Sequence, residues 1–314
     1  MSVWGGGFEK EGGELDKYHA SSFSLQKDFI GASTYKLKGD QMKWETHRRI
    51  TKFAWRKLNL PERWTGSVAE ASLLPDRVPD KTLKVGSSGK VYEGRVPHHE
   101  PNPDLIMKHI WKARLSLLKR DRIQFVKSLG YALHYIQDGM VSMNKKFLFF
   151  SYKSYEAHEK IEEDLRLVPL PSNAKLIEKC TKTVIKTPQQ LERVIQKVSP
   201  REDIENIMLL ASVYTLVTIG AIVNGNKFPE SYKRNYLHYA DRHAKFLLAS
   251  TLISLVITLP LIYFSSILFV FFPFIVIYSI HKLDFSYSRS AKIAEWYGEK
   301  KSILKFLMRS PIRI

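Results

Sequence analysis

Two stretches of this chain place an imidazole one helical turn ahead of a carboxylate. In Leu133-His134-Tyr135-Ile136-Gln137-Asp138, His134 precedes Asp138 by four residues, and within 155–162 His158 precedes Glu162 by the same interval. Side chains at i and i+4 share a helix face, so each pair can aim two ligand atoms at one point. Imidazole nitrogen and carboxylate oxygen are donors suited to zinc, manganese or iron. One such pair alone equally describes an exposed ion pair. Two pairs close together, joined by further His and Asp positions, point to a metal centre. Those positions are His47 in Thr46-His47-Arg48-Arg49-Ile50, Asp76 and Asp80 in the segment 72–80, and the adjacent His98 and His99. Prolines at 75, 79, 97, 101 and 103 can hold those loops rigidly, although solvated surface turns have the same composition.

The joint spacing resembles the zinc-dependent phospholipases C, a family related to the single-strand nucleases of the P1 type. That family carries His-Tyr, two variable residues and Asp, matched by His134-Tyr135-Ile136-Gln137-Asp138. A second His-x-x-x-Glu pair, starting 24 residues after the first His, is matched by His158 and Glu162. A loop His followed by three residues and Pro-Asp is matched by His99 and Pro103-Asp104, and His47 is the candidate for a ligand opening the first helix. The resemblance covers roughly 44–165 and extends over the helices to about 240. It implies an all-helical domain whose cleft holds two or three zinc ions, with Mn2+ or Fe2+ as substitutes, and cuts phosphate esters. His99, His134 and Asp138 would hold one ion, His158 and Glu162 a second, and His47 with Asp138 a third. An aspartate upstream of the loop His would act as general base or orient the attacking water; Asp76 is the candidate and Asp80 the alternative.

The match departs from the family at one ligand. Asn144 stands where the family has a His six residues after the signature Asp, leaving His98, Asn144 or Glu159 as auxiliary ligands. Secreted members of the family also use a freed N-terminal Trp as a ligand; without signal cleavage that amino group is not expected to be available here, although Trp4 or Trp44 could line the cleft.

The elements that must position these groups read as helices. Apolar spacing predicts a helix over 44–58, ended by Pro61, and others near 105–119, 123–137, 154–164, 172–184 and 187–197. Residues 61–104, rich in Pro and Gly, read as an ordered loop region, and no alternating strand run stands out. The uncharged stretch Ile207 to Val223 reads as the central helix of the domain rather than a membrane span. His19 and His109 read as surface positions, and His238 and His243 as groups facing lipid head groups or solvent. The lone Cys180 excludes an intramolecular disulfide and a Cys-rich zinc site.

From Phe246 to Ile280 the chain has no charged residue, His, Asn or Gln. As one helix this run would reach about 50 Å, against about 30 Å for the hydrocarbon core of a bilayer. Pro260, Pro273 and Ser265-Ser266 interrupt it, which favours a helical hairpin turning near 260–266 over one tilted span. Basic residues flank it on both sides: Arg242 and Lys245 before, Lys282 and Arg289 after. The positive-inside bias then puts both flanks in the cytoplasm, and the opening residues lack a basic, apolar leader. The net charge of +18 suits anionic lipid, and nucleic acid under a nuclease reading. The expected plan is a poorly defined lead-in over 1–40, an all-α phosphoesterase domain over 41–244, a membrane anchor over 245–281 and a basic cytoplasmic tail over 282–314. The expected substrate is a phosphodiester, foremost a phospholipid head group cleaved at the membrane to which the chain is anchored; the alternatives are a membrane-anchored single-strand nuclease or phosphatase, and an inactive member retaining a structural metal site.

Overall fold

Helices dominate because the chain supplies caps and apolar stripes at helical spacing and few runs of alternating polarity. A computed structural model describes residues 40–307, apart from 86, 88, 97–101, 142–143, 148–149, 154, 173, 184, 224–226 and 265–269. Side chains are described outside 40–43, 144–159, 261 and 264. The chain begins with α1 (Asp40–Lys57), a 3-10 turn (Glu62–Trp64), α2 (Thr65–Ala71) and α3 (Leu74–Arg77). A hairpin of β1 (Lys81–Val85) and β2 (Val91–Arg95) follows, pairing Lys81 with Arg95 and Val85 with Val91. Then come α4 (Pro103–Leu118), α5 (Arg122–Asp138), a second hairpin of β3 (Asn144–Phe147) and β4 (Phe150–Lys153), α6 (Tyr155–Leu167), α7 (Lys175–Lys182), α8 (Pro188–Ile195) and α9 (Ile204–Val223). The last elements are α10 (Glu230–Phe264), α11 (Phe272–Leu283), α12 (Phe285–Trp296) and α13 (Ile303–Leu307).

The centre of the domain is α5. Asp121 caps it by accepting from the Gln124 N–H at 3.0 Å, and every residue from Ser128 to Asp138 is buried. The neighbouring α4 starts with Pro103 behind an Asn102 cap, the arrangement that leaves fewest orphan N–H groups. A short turn with Arg120 in the left-handed region (φ 59°) folds α4 back along α5. Helix α2 crosses α5 at Gly130, where a Cβ would lie 2.2 Å from the Ala71 carbonyl oxygen, so only glycine permits the approach. Helix α9 closes the opposite side, with Leu216, Ile219 and Ile222 buried against this core. Fully burying each such side chain contributes about 1.5–3 kcal/mol.

Three expectations change. The region 61–104 contains short helices and a strand pair as well as loop. Its strands expose Leu83, Val85, Val91 and Tyr92, so no buried face imposed an alternating pattern. The anchor does not begin as a separate element at 245: α10 starts at Glu230 inside the domain and continues through Pro260. The expected basic tail does not stand apart from the domain over its described part, 282–307, where α12 and α13 pack into the core through Tyr287, Ala291, Ala294, Trp296 and Phe306. The lysines and arginines that suggested a tail, such as Arg289 and Lys292, occupy the outer face. Arg114, fully buried, locks this return: its Nε donates to the Trp296 carbonyl at 2.7 Å and a terminal nitrogen to the Ile222 carbonyl at 2.6 Å.

Among the described residues, two helices are long and apolar enough to cross a membrane, Ile204–Val223 and Glu230–Pro260. They differ in environment, since the apolar window of the first is 61% buried within the protein and that of the second 22%. The first is the central helix the sequence suggested.

Candidate metal centre

Helix α5 presents His134 and Asp138 on one face, as their spacing requires, and α1 brings His47 against them. The Nε2 of His47 lies 3.1 Å from one Asp138 carboxylate oxygen, and the Nε2 of His134 lies 3.0 Å from the other. The two imidazole centroids are 4.6 Å apart. One ligand atom from each of the three residues falls within 4.8 Å of the others, and all three residues are buried. Asp76, on α3, places a carboxylate oxygen 3.3 Å from the His134 Nε2.

The far nitrogen of each ring fixes its tautomer. His134 Nδ1 is 2.9 Å from the Ser72 backbone oxygen, which can only accept, so Nδ1 donates. Gln137 does the same for His47. Its amide nitrogen donates to the hydroxyls of Thr51 (3.3 Å) and Thr215 (3.1 Å), turning its oxygen toward His47 Nδ1 at 2.7 Å. Both Nε2 atoms therefore face a shared carboxylate. In neutral rings these are lone pairs, which a carboxylate repels, so the contact calls for a proton or a cation between them.

Titration follows the same geometry. Burial pushes the His134 pKa down, but the Asp138 and Asp76 carboxylates outweigh it and hold the ring well above its ordinary value. Burial and His134 both oppose protonation of His47, yet Asp138 raises it. Burial pushes Asp138 up and the two imidazoles pull it well below the usual carboxylate range. Asp76 is also depressed; burial raises it and His134 more than compensates. A field that stabilises imidazolium beside two carboxylates also favours a divalent cation.

The two aspartate candidates separate. Asp76 turns to the His47/His134/Asp138 cluster, whereas Asp80 accepts from Tyr135 Oη at 2.8 Å and lies 2.6 Å from His109 Nε2. Burial raises the Asp80 pKa, and the His109 and Tyr135 contacts pull it below its ordinary value. His109 is thus buried rather than on the surface, stacked on Tyr131 with centroids 4.9 Å apart. His243 is likewise buried, paired with Asp284 at 2.9 Å and stacked on Tyr287, rather than facing head groups.

Glu162 is buried and lines the same cavity as Thr46, His47, Gln137 and Asp138. His158 and Glu159 sit in the first turn of α6 and Asn144 opens β3, with their side chains outside the described set; His98 and His99 lie outside the described residues. Sequence reasoning missed Gln137, Thr51, Thr215 and the Ser72 carbonyl. Gln137 had a signal, a polar residue inside an apolar helix beside the signature Asp, but a backbone carbonyl has none.

No protein-family model, curated protein or solved structure matches this chain. The chemistry is therefore read from the donor set. Two imidazole nitrogens with fixed tautomers and nearby carboxylates fit zinc, manganese or iron, and no thiolate is present to favour a softer ion. The acceptors behind each ring do what supporting groups do around metal-ligating histidines, holding orientation and basicity.

Proposed function

We propose that this protein is a metal-dependent phosphodiester hydrolase acting on phospholipid head groups at a membrane surface. The observation that carries the reading is the convergence of His47 and His134, each with Nδ1 committed to an oxygen, on the buried Asp138. These three residues would hold a zinc ion, with Glu162 supplying a second ion together with His158 and His99 completing the first. A bound divalent ion supplies Lewis acidity, making water a stronger acid and offsetting phosphoryl charge. Asp76, with about a quarter of its side chain open to solvent, is the group available to orient a water and take its proton. The water oxygen then bonds to phosphorus, the phosphorus–glycerol oxygen bond breaks, and the proton ends on the diacylglycerol hydroxyl. Gln137 and Ser72 keep both imidazoles in register during this exchange.

The exposed apolar hairpin favours a lipid over a nucleic-acid phosphodiester, because it would keep the cleft beside its substrate and raise the effective concentration. The test is head-group release from phosphatidylcholine and phosphatidylethanolamine by the full chain in mixed micelles, with and without zinc, against His134→Ala. Zinc-dependent release that disappears in the variant supports the reading. Cleavage of single-stranded DNA or RNA instead would assign a nuclease, and bound metal without turnover on either would assign a structural ion.

A further inference from the structure

Away from α5, a second pair of imidazoles meets between helices. His243 stands where α10 leaves the core: Ala240 and Ala244 are buried beside it, whereas Phe246 and Leu252 are exposed. His281, in the last turn of α11, is exposed, and its Nδ1 lies 3.3 Å from His243 Nε2 across 38 positions of sequence.

Asp284, in the link between α11 and α12, fixes the tautomer of His243. A carboxylate only accepts, so His243 Nδ1 donates to one Asp284 oxygen at 2.9 Å, and Nε2 of the neutral ring keeps its lone pair. Asp284 is itself held. Its other oxygen caps α12 by accepting from the Tyr287 N–H at 3.0 Å, and an Arg242 nitrogen lies 3.5 Å from it. Tyr287 stacks on His243 with centroids 4.2 Å apart and planes inclined by only 8°, and the His243 ring is fully buried. A buried carboxylate–imidazole pair with its far nitrogen bare is the support found behind metal-ligating histidines.

The separation of the two nitrogens decides what lies between them. A direct N–H donation from His281 would be longer than the usual distance of about 2.9–3.0 Å. Two nitrogens bound at about 2.0–2.1 Å to a tetrahedral ion stand about 3.3–3.4 Å apart, against about 2.8–3.0 Å for neighbours in a square-planar site. The observed 3.3 Å suits zinc before copper. Neighbouring cations are engaged elsewhere: Arg242 with Asp284 and the Tyr239 ring, Lys282 over the Tyr278 ring, and Lys300 with Glu295 at 2.8 Å.

We infer that His243 Nε2 and His281 Nδ1 form a second zinc site, an exchangeable clip that ties α11 to α10, with Asp284 behind His243 and water in the remaining positions. Half the protein ligands of a structural zinc site give an affinity of about micromolar or weaker, so the clip closes and opens with free zinc. This inference stands apart from the centre at His47, His134 and Asp138 and from the phosphoesterase reading.

The test is zinc titration calorimetry of the full chain in detergent micelles, for the native protein, His281→Gln and His134→Ala, with amide exchange over 278–283 followed with and without zinc. His281 is exposed, so its replacement leaves the helices intact, as circular dichroism should confirm. The expected result is a weak binding step that survives in His134→Ala and falls at least about tenfold in affinity in His281→Gln. Zinc should slow exchange over 278–283 in the first two proteins and not in the third. Asp284→Asn, which keeps the helix cap, should weaken the same step about 10- to 100-fold. A weak step of unchanged affinity in His281→Gln would overturn the inference and assign that zinc to other histidines. Exchange near 281 that ignores zinc would overturn it too, leaving an imidazole–imidazole hydrogen bond. Loss of only the tighter step, with the weak one intact, would count against the buried centre and leave the clip standing.

Discussion

Replacing Asp76 and Asp80 one at a time should have opposite effects, because their surroundings differ. Asp80 accepts from Tyr135 and pairs with His109, both largely buried, and hydrogen bonds to a charged group are worth about 1.5–3 kcal/mol each. With about a fifth of the Asp80 side chain solvated, Asp80→Ala should cost about 3 kcal/mol, near the bottom of the summed range. For a chain of this size that lowers the thermal midpoint by roughly 5 °C. The cost should shrink in acid, since a depressed carboxyl contributes stability above its unfolded pKa and loses it as pH falls through its folded value. The Asp76 contact with His134 is longer, 3.3 Å, and the Asp76 side chain is partly solvated, so Asp76→Asn should cost less stability than Asp80→Ala. As the base at the reacting water, however, it should lose about 10²- to 10⁴-fold in kcat with metal content unchanged. The assays are thermal denaturation of the metal-free chain and zinc-dependent head-group release from mixed micelles. Full activity in Asp76→Asn, together with a stable but inactive Asp80→Asn, would refute the assignment of both residues.

Other consequences follow from the same contacts. Zinc should raise the thermal midpoint of the native chain, since about 1,000-fold saturation above Kd is worth about 4 kcal/mol, and Asp138→Asn should abolish that rise; an equal rise in the variant would remove Asp138 from the site. Zinc uptake should release protons and strengthen as pH rises through the elevated pKa of His134, while the stability this ring lends the metal-free chain, complete below about 6.5, is lost over the same interval. Titration calorimetry in buffers of different ionisation enthalpy reads the proton count, and no proton release would contradict it. Gly130→Ala should push α2 off α5 and pull the Ser72 carbonyl from His134, costing about 2 kcal/mol or more and weakening zinc binding about tenfold; unchanged affinity would show that the carbonyl is dispensable. Arg114→Met should loosen α12, read as faster amide exchange at Ile293–Trp296 than in the native chain, and unchanged exchange would place the support elsewhere.

Much of the site was legible because local spacing dictates local geometry. His134 and Asp138, four apart, needed only a helix to converge, and α5 is a helix. That His47 from α1 would meet them came from family resemblance, since no local rule links positions 90 residues apart. The choice between Asp76 and Asp80 was closed to the sequence because both stand in one proline-rich turn. What separates them is a partner on α4, His109, whose lone imidazole gave no sign of burial. The segment after the apolar run shows the opposite case. Tyr287, Ala291 and Ala294 repeat at helical spacing, and the surrounding lysines and arginines, which in sequence resemble a basic tail, are the solvent face of the same helix.

Metal content of the full chain, purified without chelator and measured by elemental mass spectrometry beside His47→Ala and His134→Ala, tests the centre most directly. At least about one zinc, manganese or iron ion per native chain, lost in both variants while their helical circular dichroism persists, is the predicted result. A native chain that binds none of these ions after equilibration with each, or variants that retain the full amount, would contradict a metal centre built on His47, His134 and Asp138.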